Sequence, residues 1–278
     1  MQTTLPAISI LGAGSMGGAI LSGLLKPGVT VDGGIRVTNR TEEKAALLRS
    51  DAVLSYATQQ DPAANLAAVA GARLVIVAVK PQVVPELLRE IGPALDPGTV
   101  VVSVAVGVTI ETFEAALPSS VAVLRAMPNT PAIVGRGVTG LSAGTRSSAE
   151  DLALASALFA TVGEVVVVPE SKIDALSTIS GSGPAYVFYL IEELTRTAVD
   201  LGFSASEAAT MVNGTFLGAA ELLAASGRSP QELRRQVTSP KGTTERAIAE
   251  LEQGGVKHLF DRATSAALAR ARELAAGA

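Results

Sequence analysis

Gly12-Ala13-Gly14-Ser15-Met16-Gly17 follows an apolar run and opens a helical pattern. In that context GxGxxG is expected to bind a dinucleotide; otherwise it is a glycine turn with no ligand. Gly12 permits the tight turn, Gly14 lets a pyrophosphate approach the backbone, and Gly17 allows close helix–strand packing. The free N–H groups of the helix start then face the phosphates. An acid about 20 residues beyond the glycines normally takes the ribose hydroxyls. Asp32 has that spacing, but Asp32-Gly33-Gly34 reads as a turn before the second strand, Ile35–Thr38. That strand ends on Asn39-Arg40-Thr41. An arginine there, with no acid, suits a 2′-phosphate. NADPH is the expected cofactor, with NADH possible; otherwise Arg40 is a solvated surface residue.

Four further groups could do chemistry. Ala78-Val79-Lys80-Pro81 stands at the carboxyl end of a buried strand, the edge at which ligands bind in open α/β sheets. Arg125-Ala126-Met127-Pro128-Asn129-Thr130-Pro131 reads as a rigid loop past another strand end, fixed by two prolines. Ser180-Gly181-Ser182-Gly183-Pro184-Ala185-Tyr186 breaks one helix and starts another, with Pro184 at its first position. Thr238-Ser239-Pro240-Lys241-Gly242-Thr243-Thr244 precedes a helix at Glu245. Its amides and hydroxyls form a carboxylate site or an ordinary cap.

The composition narrows the chemistry. There is no cysteine and one histidine, His258. Thiolate nucleophiles, disulfides, iron–sulfur clusters and thiolate zinc sites are excluded, and no metal site is expected. A Ser–His–Asp relay would need His258, for which a surface or capping role is expected. Aromatic residues make up 3% of the 278 residues, and the net charge is −4. Base-stacking platforms and a basic face for phosphate backbones or anionic membranes are both missing. No nucleic-acid or membrane partner is expected, and the cytoplasm is the expected compartment. Residues 1–25 carry no charge. They lack the basic n-region of a signal peptide, and Pro6 and five glycines interrupt them as a span. The run 97–110 is too short to span.

These groups must be held by regular elements. Val/Ile runs at 7–11, 35–38, 73–79, 99–104 and 121–124 alternate with helical patterns at 16–25, 41–50, 62–70, 82–91 and 110–117. Runs apolar on every residue indicate strands buried on both faces. The alternation predicts an α/β fold with a doubly wound, mostly parallel sheet. Strands at 138–142 and 164–168 flank a helix at about 148–161 and could extend that sheet. Asp61-Pro62 reads as a helix N-cap and first position. Past Pro169 the β signal stops. Helical patterns cover 172–201, 205–226, 230–237, 245–253 and 257–276, with capping boxes at Ser204/Glu207 and Ser229/Glu232. The expected division is an N-terminal Rossmann domain over 1–168 and an all-α dimerisation domain over 169–278. Helices rich in Ala and Gly bury little area each, so a second copy is expected to cover them; the alternative is a monomer with those helices packed on the first domain.

Taken together, these segments resemble the pyrroline-5-carboxylate reductases. The resemblance runs through GAGSMG at 12–17, Asn39-Arg40, AVKPQ at 78–82, SVAVGVTIE at 103–111, RAMPNTP at 125–131, SGSGPAY at 180–186 and VTSPKGTTERAIAELE at 237–252. It implies reduction of Δ1-pyrroline-5-carboxylate to L-proline by NAD(P)H, in a homo-oligomer that is at least a dimer. The site would lie between the cofactor of one subunit and helical-domain loops that include the partner's. It further implies that Gly242, Thr243 and Thr244 bind the substrate carboxylate, with the Thr244 hydroxyl near the ring nitrogen as the catalytic contact. Glu170 and Gln236 match weaker substrate contacts. Ala78, Val79, Lys80, Pro81, Val104, Ala105 and Val106 match cofactor-lining positions. Two residues depart from the family pattern. Lys241 replaces the first glycine of the substrate loop, and Val106 stands where Ala is common.

Two other readings share parts of this pattern. β-Hydroxyacid dehydrogenases have GxGxMG and a helical second domain, but they use a Lys and an Asn on the interdomain helix. Ala185–Leu201 contains neither. A non-catalytic NADP-binding sensor or scaffold would need a degraded substrate loop, and only Lys241 departs there.

Overall fold

The computed structural model describes residues 2–276. Two units pack separately: the chain up to Ser182 with the C-terminal turns from Ala267, and Gly183–Ala266.

In the first unit the chain runs β1 (Thr3–Leu5), β2 (Ile8–Leu11), α1 (Ser15–Leu24), β3 (Val29–Val31), β4 (Ile35–Asn39), α2 (Glu42–Ala46), β5 (Val53–Ala57), α3 (Ala64–Val69), β6 (Leu74–Val77), α4 (Val84–Ile91), β7 (Val100–Ser103), α5 (Ile110–Ala116), β8 (Ala122–Met127), β9 (Gly137–Ala143), α6 (Ala149–Ala160), β10 (Gly163–Val167) and α7 (Ile173–Leu176). Eight strands form one sheet in the order β10-β9-β8-β7-β6-β2-β4-β5. Every pairing from β5 through β8 is parallel. β9 is antiparallel to β8, and β10 is parallel to β9. The strand order reverses between β2 and β6, and that switch point is where a doubly wound sheet opens a ligand crevice.

Successive residues of the central strands feed opposite faces. Ile8, Ile10, Leu74, Ile76, Val100 and Val102 pack with Leu24, Leu158 and Phe159 on the α1 and α6 side. Val75, Val77 and Val101 pack with Leu88, Ile91 and Phe113 on the other. Phe113 and Phe159 are fully buried, one per face. Aliphatic residues fill the rest, each contributing about 1.5–3 kcal/mol when fully buried.

The strands at 137–143 and 163–167 do extend the sheet. Three strands were not anticipated. β1 and β3 are short and form a separate parallel pair. β5 is an edge strand in which Val53, Ser55 and Ala57 are buried and Leu54 is exposed. Its inward face is made of small side chains interrupted by Ser55, so no continuous apolar run marks it. Asp61-Pro62 does not start a regular helix, which begins at Ala64. Asp61 Oδ1 instead accepts the Ala63 N–H at 2.8 Å, capping a turn that precedes it.

The expected break at SGSGPAY is also corrected. From Ile173 the chain stays helical through a widened π turn, Ser177–Gly181, and continues into α8 (Gly183–Asp200). Pro184 is the second residue of α8. The second unit holds α8, α9 (Ala205–Ser226), α10 (Pro230–Gln236), α11 (Thr243–Gln253) and α12 from Val256, a helix that runs to Ala276. Both expected capping boxes form. Helix α11 starts at Thr243, two residues earlier than expected. Among the described residues, α9 alone is long and apolar enough to cross a membrane by length and composition.

Candidate active site

The glycine turn is built on the ends of β2 and β4. Gly12 and Ala13 donate their N–H groups to Thr38 O at 3.1 and 2.9 Å. Gly12 has φ +93°, and a Cβ there would lie 3.0 Å from Ala78 O. A Cβ at Gly17 would lie 2.4 Å from Gly12 O, so only glycine lets α1 approach the turn. Gly14 faces open space and caps α1, whose first turn (Ser15, Met16, Gly17) carries no acid. The free N–H groups and dipole of α1 are therefore uncompensated and point to an anion.

A cleft of about 510 Å³ opens beside this turn. Gly12, Gly14, Asn39, Arg40, Ala78, Val79 and Lys80 line it together, so the structure gathers residues from three strand ends. Pro81 starts a 3₁₀ turn that leads into α4 and brings Val83 and Leu87 to the same wall. Val104, Ala105 and Val106 follow β7, outside this cleft. The Val104 N–H bonds Val77 O at 3.0 Å, Ala105 is buried, and Val106 is half exposed.

Two residues that sequence reasoning missed also line the cleft, Thr41 and Lys44. Thr41 caps α2 without a side-chain cap bond. Among the described residues, its buried hydroxyl and the buried Asn39 Nδ2 have no hydrogen-bond partner. Lys44 lies four residues after Arg40, a spacing that could have flagged it. No carboxylate lines the cleft, and among the described residues the side chains of Arg40, Lys44 and Lys80 have no hydrogen bond or ion pair. The nearby Glu42 is bound by Arg49, whose hydrogen bonds hold its carboxyl below the ordinary value. Unpaired cations, orphaned buried donors and a glycine cradle together fit a phosphorylated dinucleotide.

The second unit carries the other candidates. Thr243 and Thr244 are the first two residues of α11, so their N–H groups have no intrahelical acceptor. Gly242 is the cap, and its own N–H is taken by Ser239 O at 3.0 Å. The Thr244 hydroxyl has no hydrogen bond among the described residues and is not the cap. Lys241 has φ +60°, and among the described residues it is the one non-glycine with positive φ. Its N–H donates to Glu245 Oε2 at 2.7 Å. Gln236 is exposed at the end of α10, and His258 is exposed in the first turn of α12. In the first unit, Glu170 Oε1 accepts from the Ile110 N–H at 2.8 Å and from Arg125 at 3.2 Å. Its Oε2 has no hydrogen bond among the described residues.

A doubly wound sheet with a glycine turn, a cleft lined by cations and a helical C-terminal unit defines an NAD(P)-dependent oxidoreductase. Residues 7–107 match the family model described as NADP oxidoreductase coenzyme F420-dependent, and residues 170–274 match pyrroline-5-carboxylate reductase dimerisation. The chain is 40% identical over 270 residues to the pyrroline-5-carboxylate reductase of Corynebacterium melassecola, covering 96% of this chain and 98% of that one. It is 37% identical to that of Pseudomonas aeruginosa, covering 97% of both. A solved pyrroline-5-carboxylate reductase from Coxiella burnetii matches with a TM-score of 0.89 at 37% identity, over 96% of this chain and 97% of that one. The chain belongs to the pyrroline-5-carboxylate reductase family.

Proposed function

We propose that this protein reduces Δ1-pyrroline-5-carboxylate to L-proline, the last step of proline synthesis, with NADPH as the preferred donor. Full-length similarity to reductases of that name, across both units, carries the reading. The bound nicotinamide supplies the hydride. The amides of the α1 start hold the pyrophosphate. Arg40, Lys44 and the Thr41 hydroxyl hold the 2′-phosphate, and the Asn39 amide bonds the adenosine ribose. Ala78–Pro81 and Val104–Val106 wall the cofactor. The free Thr243 and Thr244 amides take the substrate carboxylate, in the loop that Gly242 caps. The Thr244 hydroxyl oxygen accepts a hydrogen bond from the ring N–H of the protonated imine. Gln236 and the free Glu170 Oε2 make weaker contacts.

A protonated cyclic imine is already a strong electrophile, so the protein must chiefly orient it. That need is compatible with a chain lacking cysteine whose single histidine is exposed. Residues 1–168 serve the dinucleotide, and 169–278 serve the substrate and a homodimer. A cytoplasmic compartment is part of this reading, supported by the absence of cysteine. Initial rates with pyrroline-5-carboxylate, first with NADPH and then with NADH, test it. Imine-dependent oxidation of NADPH, faster than of NADH, is expected. No imine-dependent oxidation of either would overturn it.

A further inference from the structure

Arg125, Met127 and Asn129 alternate along β8 and its extended continuation, where Asn129 has φ −114° and ψ 167°. Alternation sends their side chains to one side. All three meet one helical segment. Arg125, buried, bonds Asp174 at 2.8 Å and Glu170 at 3.2 Å. A Cβ built on Gly181 would lie 3.2 Å from Met127 Cε. Asn129, also buried, donates from Nδ2 to Ser180 O at 2.9 Å, and its Oδ1 accepts from the Val138 N–H at 2.8 Å.

The Ser180 carbonyl explains why an amide is needed. In an α-helix it would accept from the N–H four residues on. That residue is Pro184, which has no N–H. The Asn129 side chain supplies a donor instead. Side chains also serve the turn before it. The hydroxyls of Ser177, Thr178 and Ser180 donate to the carbonyls of Asp174, Ala175 and Leu176 at 2.7, 2.8 and 3.3 Å. The Ser182 N–H reaches back five residues to Ser177 O at 2.8 Å. A π turn is rare and needs such support.

We propose that Asn129 is a positioning residue for the reduction: it stands in for the N–H that Pro184 lacks and thereby holds the π turn 177–181 against the carboxyl end of β8. The proposal rests on the reading given under Proposed function. β7 and β8 are neighbours, with Ser103 opposite Arg125. The gripped turn therefore stands one strand from Val104–Val106, the proposed cofactor wall. Without the grip the turn relaxes toward regular helix, which moves Ser180–Ser182 against that edge. A misplacement of about 1 Å in a supporting element costs about a hundredfold in rate. Asn129 does not line the dinucleotide cleft, so the loss falls on kcat and not on NADPH affinity.

A double-mutant cycle tests this, because Pro184→Ala restores the missing N–H. Asn129→Ala is expected to lower kcat about thirtyfold or more when Pro184 is kept, but less than about fivefold in the Pro184→Ala background. The Kd for NADPH, read by fluorescence, stays within about twofold in all four proteins. Hydrogen exchange of a peptide covering 177–186 quickens in Asn129→Ala and slows again in the double variant. Should Asn129→Ala fail to fold, Asn129→Asp, which keeps an acceptor for Val138, takes its place in the cycle. Equal losses in the two backgrounds, or a loss in NADPH affinity, would overturn the proposal. A wild-type protein that ignores the imine would sink the functional reading on its own, and the exchange cycle would still decide whether Asn129 replaces the missing N–H.

Discussion

Thr244 and Lys241 are three residues apart, and the structure separates their roles. The Thr244 hydroxyl is unengaged, so removing it disturbs no cap. A hydrogen bond to a charged group is worth about 1.5–3 kcal/mol. Thr244→Ala should therefore lower kcat/KM for the imine about tenfold to a hundredfold with little change in Tm; steady-state rates beside a melting curve check both. Lys241 sits in the left-handed region, at a cost of about 1–2 kcal/mol for a residue with a Cβ. Lys241→Gly relieves that strain but adds unfolded-chain entropy of about 0.5–1 kcal/mol. We expect an unchanged or slightly raised Tm, an intact kcat and a KM altered by less than about fivefold; complete loss of activity would contradict it. In the dinucleotide cleft, Arg40→Ala should raise KM for NADPH about tenfold to a hundredfold and leave NADH unchanged. The glycine turn and Arg40 were legible because their chemistry is local: φ freedom, close approach, a fixed charge. Thr41 and Lys44 were not singled out, because their part in the cleft shows only once the turn from β4 into α2 buries the Thr41 hydroxyl and brings Lys44 to the wall.

Elements with a run or a cap were legible for the same reason. The central strands announce themselves by being apolar on every residue, and α9 and α10 by their capping boxes. β5 and the π turn did not, since each depends on partners distant in sequence: β4 for one, Asn129 for the other. Helix α6 makes the energetic point. Ser148 Oγ accepts from the Asp151 N–H, and Asp151 accepts from the Ser148 N–H at 2.9 Å and from Arg73 at 2.8 Å. Burial pushes the Asp151 carboxyl up, but the bonds from Arg73 and Ser148 outweigh it and leave it below the ordinary value. A carboxyl lowered in the folded state contributes stability above its unfolded pKa, and that contribution is lost as pH falls through the folded one. Thermal unfolding between about pH 6 and pH 3 should show it. Asp151→Asn lowers Tm near neutrality and flattens the acid limb. Ser148→Ala should cost about 1 kcal/mol, or about 2–4 °C in Tm.

At the scale of the molecule, the two units are stabilised differently. The sheet unit has a core on each face. In the second unit the buried apolar side chains are Ala198, Ala208 and Val212, while Phe188, Tyr189, Leu217, Leu222, Leu223 and Phe260 are among many left exposed. Three small side chains do not hold five helices together, and an apolar surface of that extent marks an interface. Val187, Ile191, Phe216, Leu217, Leu223 and Leu233 line one open groove of about 920 Å³, formed by α8, α9 and α10. The apolar length of α9 belongs to this groove and not to a bilayer, since the dimerisation family model runs through it. A second copy is the occupant that fits. Leu223→Glu places an unpaired carboxylate in that contact, a change that costs about 3–5 kcal/mol when buried. Sedimentation should then show a species near 28.1 kDa where the wild type runs at twice that mass or more. Imine reduction should fall in step with the dimer fraction, because the helical unit that carries Thr243 and Thr244 loses its cover. Leu223→Met, which keeps the apolar contact, should leave both unchanged. A Leu223→Glu protein that stays dimeric would move the interface to another face of the helices.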